Sequence, residues 1–303
     1  MDTDFSIEVR FYRLSEALQP YFTALYATSV HCAPGVWVGD QLHPEWAALR
    51  FTEGPPPIAC IGPGELSPQW PFVANGPTSK AIQFGVTQSR VWGLGLQPAG
   101  WSKFIGQPAN ALSDRTVDGE SHEAFGLFRP LVGLVGGAEG DEDRIASGIN
   151  DFLMQHVDRP VPHETQIMAC QEALRDPDVA NVAELGERLG MNRRSVERLC
   201  GRYFGFPPKL LLRRQRFLRS LAQFMLEPVD SWSEALDGQY YDQAQFVRDF
   251  RSFMGMTPSE YAVAPHPILE KVMPQRMADQ GAAPETDLPT VLRYTLDATP
   301  GSE

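Results

Sequence analysis

Apolar and polar positions follow two different rhythms along this chain, and the change falls near its middle. Up to about Val135, short apolar stretches such as Val36-Trp37-Val38, Leu49-Arg50-Phe51, Pro57-Ile58-Ala59-Cys60-Ile61, Ala81-Ile82-Gln83-Phe84-Gly85-Val86 and Val91-Trp92-Gly93-Leu94-Gly95-Leu96 alternate with turn-forming runs. Glu53-Gly54-Pro55-Pro56-Pro57 and Asn75-Gly76-Pro77 are two of these runs. Brief apolar segments punctuated in this way predict β-strands joined by turns, closing into a small barrel or sandwich. After Gly136-Gly137-Ala138-Glu139-Gly140 the spacing becomes three and four, with Ile145, Ile149, Phe152, Leu153 and His156 on one stripe. That spacing predicts a helix, packed on the β-rich part or on a second subunit. Arg159-Pro160-Val161-Pro162 stops it and marks a boundary. From about Glu164 to Val263 the pattern is helical almost throughout. Beyond His266, prolines at 274, 284, 289 and 300 among polar residues predict a tail partly disordered or draped on the surface, with a short ordered piece near Val291-Leu292-Arg293-Tyr294. The expected fold class is therefore α+β multidomain: a β-rich domain at residues 1–160 ending in a helix, an all-α domain at 161–265, and a tail at 266–303.

The helical part contains a repeat. Residues 191–208, Met191-Asn192-Arg193-Arg194-Ser195-Val196-Glu197-Arg198-Leu199-Cys200-Gly201-Arg202-Tyr203-Phe204-Gly205-Phe206-Pro207-Pro208, align without a gap with residues 241–258, Tyr241 to Pro258. Each copy reads as one helix built from the same parts. Asn192 and Asp242 are N-caps, whose side chains accept hydrogen bonds from free backbone amides. Val196, Cys200, Tyr203 and Phe204, like Phe246, Phe250, Phe253 and Met254, form a buried stripe. Gly205 and Gly255 end the helices in a left-handed conformation, and Pro208 and Pro258 prevent continuation. A shorter helix precedes each copy, at about Val182 to Leu189 and about Ser231 to Leu236. Two helices joined by a tight turn, the second with a polar outer face, make a helix-turn-helix unit, and the chain has two.

Helical spacing puts Arg193, Arg194, Glu197 and Arg198 on the outer face of the first unit, and Gln243, Ala244, Gln245, Val247 and Arg248 on or near that of the second. Arg pairs with guanine edges and Gln with adenine, so both faces carry base-reading chemistry. The intervening segment, Lys209 to about Leu226, is apolar at Leu211, Leu212, Leu218, Leu221, Ala222 and Met225 and basic elsewhere. As a helix it would span roughly 27 Å, near the roughly 34 Å between successive major-groove faces of DNA. Arg202, Arg213, Arg214, Arg216 and Arg251 are the residues expected at phosphates.

Net charge alone points away from DNA: 38 acidic against 26 basic residues give −12 over 303 residues. The distribution reverses that inference. Between Arg188 and Arg219 ten basic residues face one acid, Glu197, which leaves +9 in this segment and −21 on the rest. An acidic bulk with one basic surface can attract a polyanion there.

The signature Gln239-Tyr240-Tyr241-Asp242-Gln243-Ala244-Gln245-Phe246-Val247-Arg248-Asp249-Phe250, followed by Gly255-Met256-Thr257-Pro258-Ser259-Glu260-Tyr261, resembles the DNA-binding domain of AraC-type transcriptional regulators. The resemblance covers about a third of the chain. It implies two helix-turn-helix units joined by a long helix, with double-stranded DNA as partner, a homodimer, and RNA polymerase as a further partner. Leu96-Gln97-Pro98-Ala99-Gly100-Trp101 and Ala111-Leu112-Ser113-Asp114-Arg115 are similar, less specifically, to the β-rich, cupin-like sensor domain that precedes this module in some members, which implies control by a small-molecule effector. Two departures stand out. Gln239 follows Gly238 where the family has Gly before the tyrosine, which would shift or strain that turn, and Gln245 stands where His is common.

Five tryptophans, Trp37, Trp46, Trp70, Trp92 and Trp101, fall in the β-rich part, as candidates for an effector pocket or for its core. Cys32, Cys60, Cys170 and Cys200 are far apart, with no Cys-x-x-Cys pair, and read as reduced thiols. An acidic start and no long apolar run predict a cytoplasmic protein without a membrane span. No phosphate-binding Gly-Lys-Ser/Thr loop, His-Glu-x-x-His or Gly-x-Ser-x-Gly is present, so no enzyme, cofactor or metal is expected. Two alternatives stay open: a metal-dependent cupin-like enzyme using His31, Cys32 and His43, and a protein-interaction sensor whose DNA-binding units have decayed.

Overall fold

In the computed structural model, which describes residues 5–137, 141–226, 238–272 and 275, the apolar runs of the first half become β1 (Phe5–Tyr12), β2 (Phe22–Cys32), β3 (Val38–Leu42), β4 (Ala48–Glu53), β5 (Ile58–Ile61), β6 (Ser67–Pro68), β7 (Phe72–Asn75), β8 (Ile82–Val86), β9 (Ser89–Leu96) and β10 (Thr116–Asp118). They form two antiparallel sheets, ordered β1-β2-β9-β4-β7-β10 and β3-β8-β5-β6. Of the barrel and the sandwich, the structure takes the sandwich: among the described residues the two sheets share no ladder, and their edges are β1 and β10, and β3 and β6.

Alternation gives the larger sheet two different faces. Leu25, Leu94, Leu49 and Ala74 pair across β2, β9, β4 and β7 and are buried on one side. One register step away, Tyr26, Gly93, Arg50 and Val73 pair on the other side, facing the smaller sheet. Gly93 is required there, because a Cβ would come within 2.0 Å of the Tyr26 ring that lies across it.

The helices are α1 (Pro98–Gly100), α2 (Arg129–Gly137), α3 (Glu142–Met154), α4 (Glu164–Arg175), α5 (Val182–Leu189), α6 (Arg193–Leu199), α7 (Pro208–Leu226), α8 (Gln243–Met254) and α9 (Pro258–Val263). The stripe predicted on α3 is inward at Ile145, Ile149 and Leu153 and packs on the β-rich part of the same chain. One continuous apolar core runs from Leu14 and the leucine side of the larger sheet through α3, α4 and α5 to Leu212 of α7. The two halves of the chain thus share a core.

The boundary regions hold further contacts. Gln97 accepts a hydrogen bond from Arg175 (2.7 Å), and the Ala99 amide donates to Gln171 (3.3 Å), so Leu96-Gln97-Pro98-Ala99-Gly100-Trp101 is where the β-rich part meets α4. Ser113 Oγ donates to the Gly205 carbonyl (2.8 Å) beyond α6, while Asp114 holds the Ser79 amide and hydroxyl at 2.6 and 2.7 Å. Lys103 pairs with Glu164 at 3.1 Å.

The tail expected to begin at His266 is packed at its start. His266, Ile268 and Leu269 are buried, and Asp40 of β3 accepts the amides of Ile268 (2.8 Å) and Leu269 (2.9 Å) and pairs with His266 (3.2 Å). The apolar Ile268 explains the difference, since it enters a cluster with Val30, Val38 and Val86. The piece near Val291 lies outside the described residues, as does the short helix expected at about Ser231 to Leu236.

Candidate nucleic-acid interface and sensor cavity

Local sequence builds both outward-facing helices. Asn181 caps α5 through a reciprocal capping box with Glu184, and α5 ends at Gly190 with φ +61°. Asn192 Oδ1 then accepts the Ser195 amide at 2.9 Å and starts α6. The expected single helix changes winding: Cys200–Phe204 forms a turn of π-helix, which carries Cys200, Tyr203 and Phe204 all inward before Gly205 (φ +84°) ends it. In the second unit Asp242 accepts the Gln245 amide at 2.6 Å, and α8 ends at Gly255 with φ +76°. Phe246, Phe250, Phe253 and Met254 are buried beneath it.

Arg193, Arg194, Glu197 and Arg198 are all exposed on α6, and Arg193 Nε pairs with Glu197 at 2.9 Å. On α8, Gln243, Ala244 and Arg248 are exposed. Gln245 is half-buried and folds back, its Oε1 accepting the Tyr241 amide at 3.1 Å as an extra cap. Arg202 and Arg251 are exposed.

The three arginines of α7 divide. Arg214 is 1% exposed, stacks on Trp46 and donates to the carbonyls of Glu45 (3.2 Å) and Thr78 (2.9 Å), which corrects the expectation of a phosphate contact. Arg213 and Arg216 both bind Asp249 of α8, itself 3% exposed. Tyr240 joins them at 3.3 Å from Asp249, and burial, then the Asp249 charge, raises its phenol pKa. Arg213 and Arg216 therefore fasten the second unit to the long helix before any phosphate is present. Gln239 is not strained: only Asp114 and His163 have positive φ among described non-glycine residues. Its side chain accepts from Arg219 at 3.2 Å and donates to the Pro177 carbonyl between α4 and α5, bridging the two units.

Between the sheets lies a cavity of about 260 Å³. Its walls are the Tyr26 side of the larger sheet, the inner residues Ile82, Phe84 and Val86 of β8, Leu218 and Ala222 of α7, and Ile268, Leu269 and Val272 after α9. None of the five tryptophans lines it, which corrects the expected pocket. Trp46, Trp92 and Trp101 are core residues, and Trp37 and Trp70 are exposed. The lining that sequence reasoning missed is signalled by alternation: Ala48, Arg50 and Thr52 face the cavity, and Gly93 and Gly95 leave room for Tyr26 and Thr23. Arg50 donates two hydrogen bonds to Glu45 (2.9 and 3.0 Å), one to Asn75 (3.0 Å) and one to Tyr26 (3.3 Å). His43, also on the wall, meets Tyr261 at 2.9 Å. Burial, then the neighbouring His266, lowers its pKa to about 4, so it is neutral near pH 7.

His31, Cys32 and His43 do not come together: His31 is exposed on β2, Cys32 bonds the Val36 carbonyl, and His43 is half-buried against Tyr261. Among the described residues no three His, Cys, Asp or Glu side chains gather as a metal site. No described helix is long and apolar enough to cross a membrane.

Residues 185–263 match the family model described as "Helix-turn-helix domain". Among solved structures the chain is similar to ToxT from Vibrio cholerae O395 bound to (E)-4-(8-methylnaphthalen-1-yl)but-3-enoic acid, at 10% identity and TM-score 0.41 over 86% of this chain and 98% of that one. It is similar also to unsaturated fatty acid bound wild-type ToxT from Vibrio cholerae strain SCE256, at 12% identity and TM-score 0.40 over 86% and 95%. A third similarity is to the AraC-like transcriptional activator CuxR, at 14% identity and TM-score 0.26 over 72% and 87%. No curated protein matches the sequence.

Proposed function

Residues 185–263 match a helix-turn-helix family model, and from this premise we propose that the protein is an AraC-type, sequence-specific transcription regulator whose β-rich half binds a small-molecule effector. In this reading α6 and α8 enter successive major-groove segments. Arg194, Arg198, Gln243 and Arg248 read base edges, with Arg193, Glu197, Ala244 and Gln245 beside them, and Arg202 and Arg251 approach phosphates. The observation that carries the reading is the repeated unit itself: two capped helices, each with its apolar stripe fully buried and its polar face left to solvent.

The cavity supplies the means of control. α7 contributes Leu218 and Ala222 to its wall and, a turn or so earlier, Arg213 and Arg216 to the anchor of α8. An occupant that shifts α7 therefore biases the placement of the second reader, a population shift between two arrangements. A homodimer on paired half-sites, with RNA polymerase as protein partner, completes the proposal.

The test is fluorescence anisotropy of the full chain with DNA from upstream of its own gene and with a shuffled control, at several salt concentrations. Specific binding about a thousandfold tighter than the control, weakening steeply with salt, is the expected result. No binding even at low salt would overturn the proposal.

A further inference from the structure

The cavity's polar groups are unevenly satisfied. The charged groups on its wall cancel among the described residues: Arg50 is held by both oxygens of Glu45, and His43 is neutral near pH 7. An anion entering here would give up its hydration and meet no uncompensated cation. Two other residues of the wall, Gln69 and Thr52, each carry a buried side-chain oxygen, Oε1 and Oγ1, with no hydrogen-bond partner among the described residues. Their segments adjoin, since the Thr52 amide donates to the Pro71 carbonyl at 2.8 Å, two residues past Gln69. The amide of Gln69 has only one sensible orientation. Its Nε2 donates to the carbonyls of Ala59 (3.2 Å) and Ser67 (2.8 Å), and turning it over would set oxygen against oxygen. Its free oxygen is thus a fixed acceptor, and the Thr52 hydroxyl on the adjoining segment can accept or donate.

We infer that the effector is an uncharged, largely apolar molecule carrying a hydroxyl or N–H donor that meets Gln69 Oε1 and Thr52 Oγ1. This rests on reading the cavity as the effector site. Size agrees: an apolar cavity of about 150 Å³ takes benzene, so about 260 Å³ suits a two-ring molecule. Leaving buried acceptors unpaired is what makes a hydrogen-bonding site discriminate against analogues that lack the donor.

Three probes of one ring system separate the requirements: 2-naphthol (neutral donor), 2-methoxynaphthalene (neutral, no donor) and 2-naphthoate (anion). Their affinities for the full chain are measured by calorimetry. 2-Naphthol is expected to bind about tenfold more tightly than 2-methoxynaphthalene, with 2-naphthoate weaker than both. Gln69→Leu, and independently the near-isosteric Thr52→Val, should each narrow the gap between naphthol and its methyl ether, with folding checked by thermal melts. Naphthoate binding at least as tightly as naphthol, equal binding of naphthol and its ether, or no binding of any probe would each overturn the inference. DNA anisotropy on the same samples keeps the two proposals apart. Specific DNA binding with the wrong probe order overturns the ligand class alone, while loss of specific DNA binding overturns the regulator reading.

Discussion

The guanidinium carbon of Arg214 lies 3.9 Å from the centroid of the Trp46 ring, so an arginine of the long helix is a core residue of the β-rich half. Arg214→Ala would remove the stacking, strand the carbonyls of Glu45 and Thr78, and leave a void. Urea unfolding should show a loss of about 3 kcal/mol. A change below about 1 kcal/mol would mean that water replaces these contacts.

Asp249 and Arg248 are neighbours in sequence with opposite roles. Removing the buried Asp249 carboxylate leaves Arg213 and Arg216 without their shared partner, so Asp249→Ala should cost about 3–5 kcal/mol in stability and disorder the second reader. Arg248→Ala should leave the melting temperature unchanged. It should cost about 1–3 kcal/mol at the cognate DNA site and much less on random DNA, if Arg248 pairs with guanine. Equal losses on both DNAs would reduce Arg248 to a phosphate contact.

Two helix-ending glycines give a matched pair. Both have positive φ, which costs a non-glycine residue about 1–2 kcal/mol. At Gly255 nothing lies within 4 Å of an added Cβ, whereas at Gly205 it would meet Ser113 Oγ at 2.5 Å and Pro77 at 3.0 Å. Gly255→Ala should therefore destabilise by about 1 kcal/mol and Gly205→Ala by more than about 2 kcal/mol, as read from denaturant midpoints.

His43 sets a pH dependence whose sign follows from its lowered pKa. Unfolded, it takes a proton near pH 6.5; folded, it resists until about pH 4. Across that window the unfolded state binds more protons, so acid favours unfolding. Stability should fall as pH drops from 6.5 to 4, by up to about 3 kcal/mol from this group, with no further loss from it below pH 4. His43→Gln should flatten that part of the profile relative to the parent chain, and parallel profiles would contradict the assignment.

Elements held together by local contacts were legible in the chain alone. Asn192, Asp242, Gly205 and Gly255 could be read because caps and left-handed stops satisfy hydrogen bonds within one turn. The buried stripes at Val196 and Phe250 could be read because a helix returns to the same face every three or four residues. Tertiary structure decided which polar residues remain available. Arg213, Arg214 and Arg216 look alike in sequence, but successive helix positions point about 100° apart, and distant partners choose among them. Trp46 takes Arg214, and Asp249 takes Arg213 and Arg216. The cavity has the same origin. Gly93 beneath Tyr26, and the return of Ile268 and Leu269 onto Asp40, depend on strand register and on contacts between the two ends of the chain. No short-range pattern encodes these contacts.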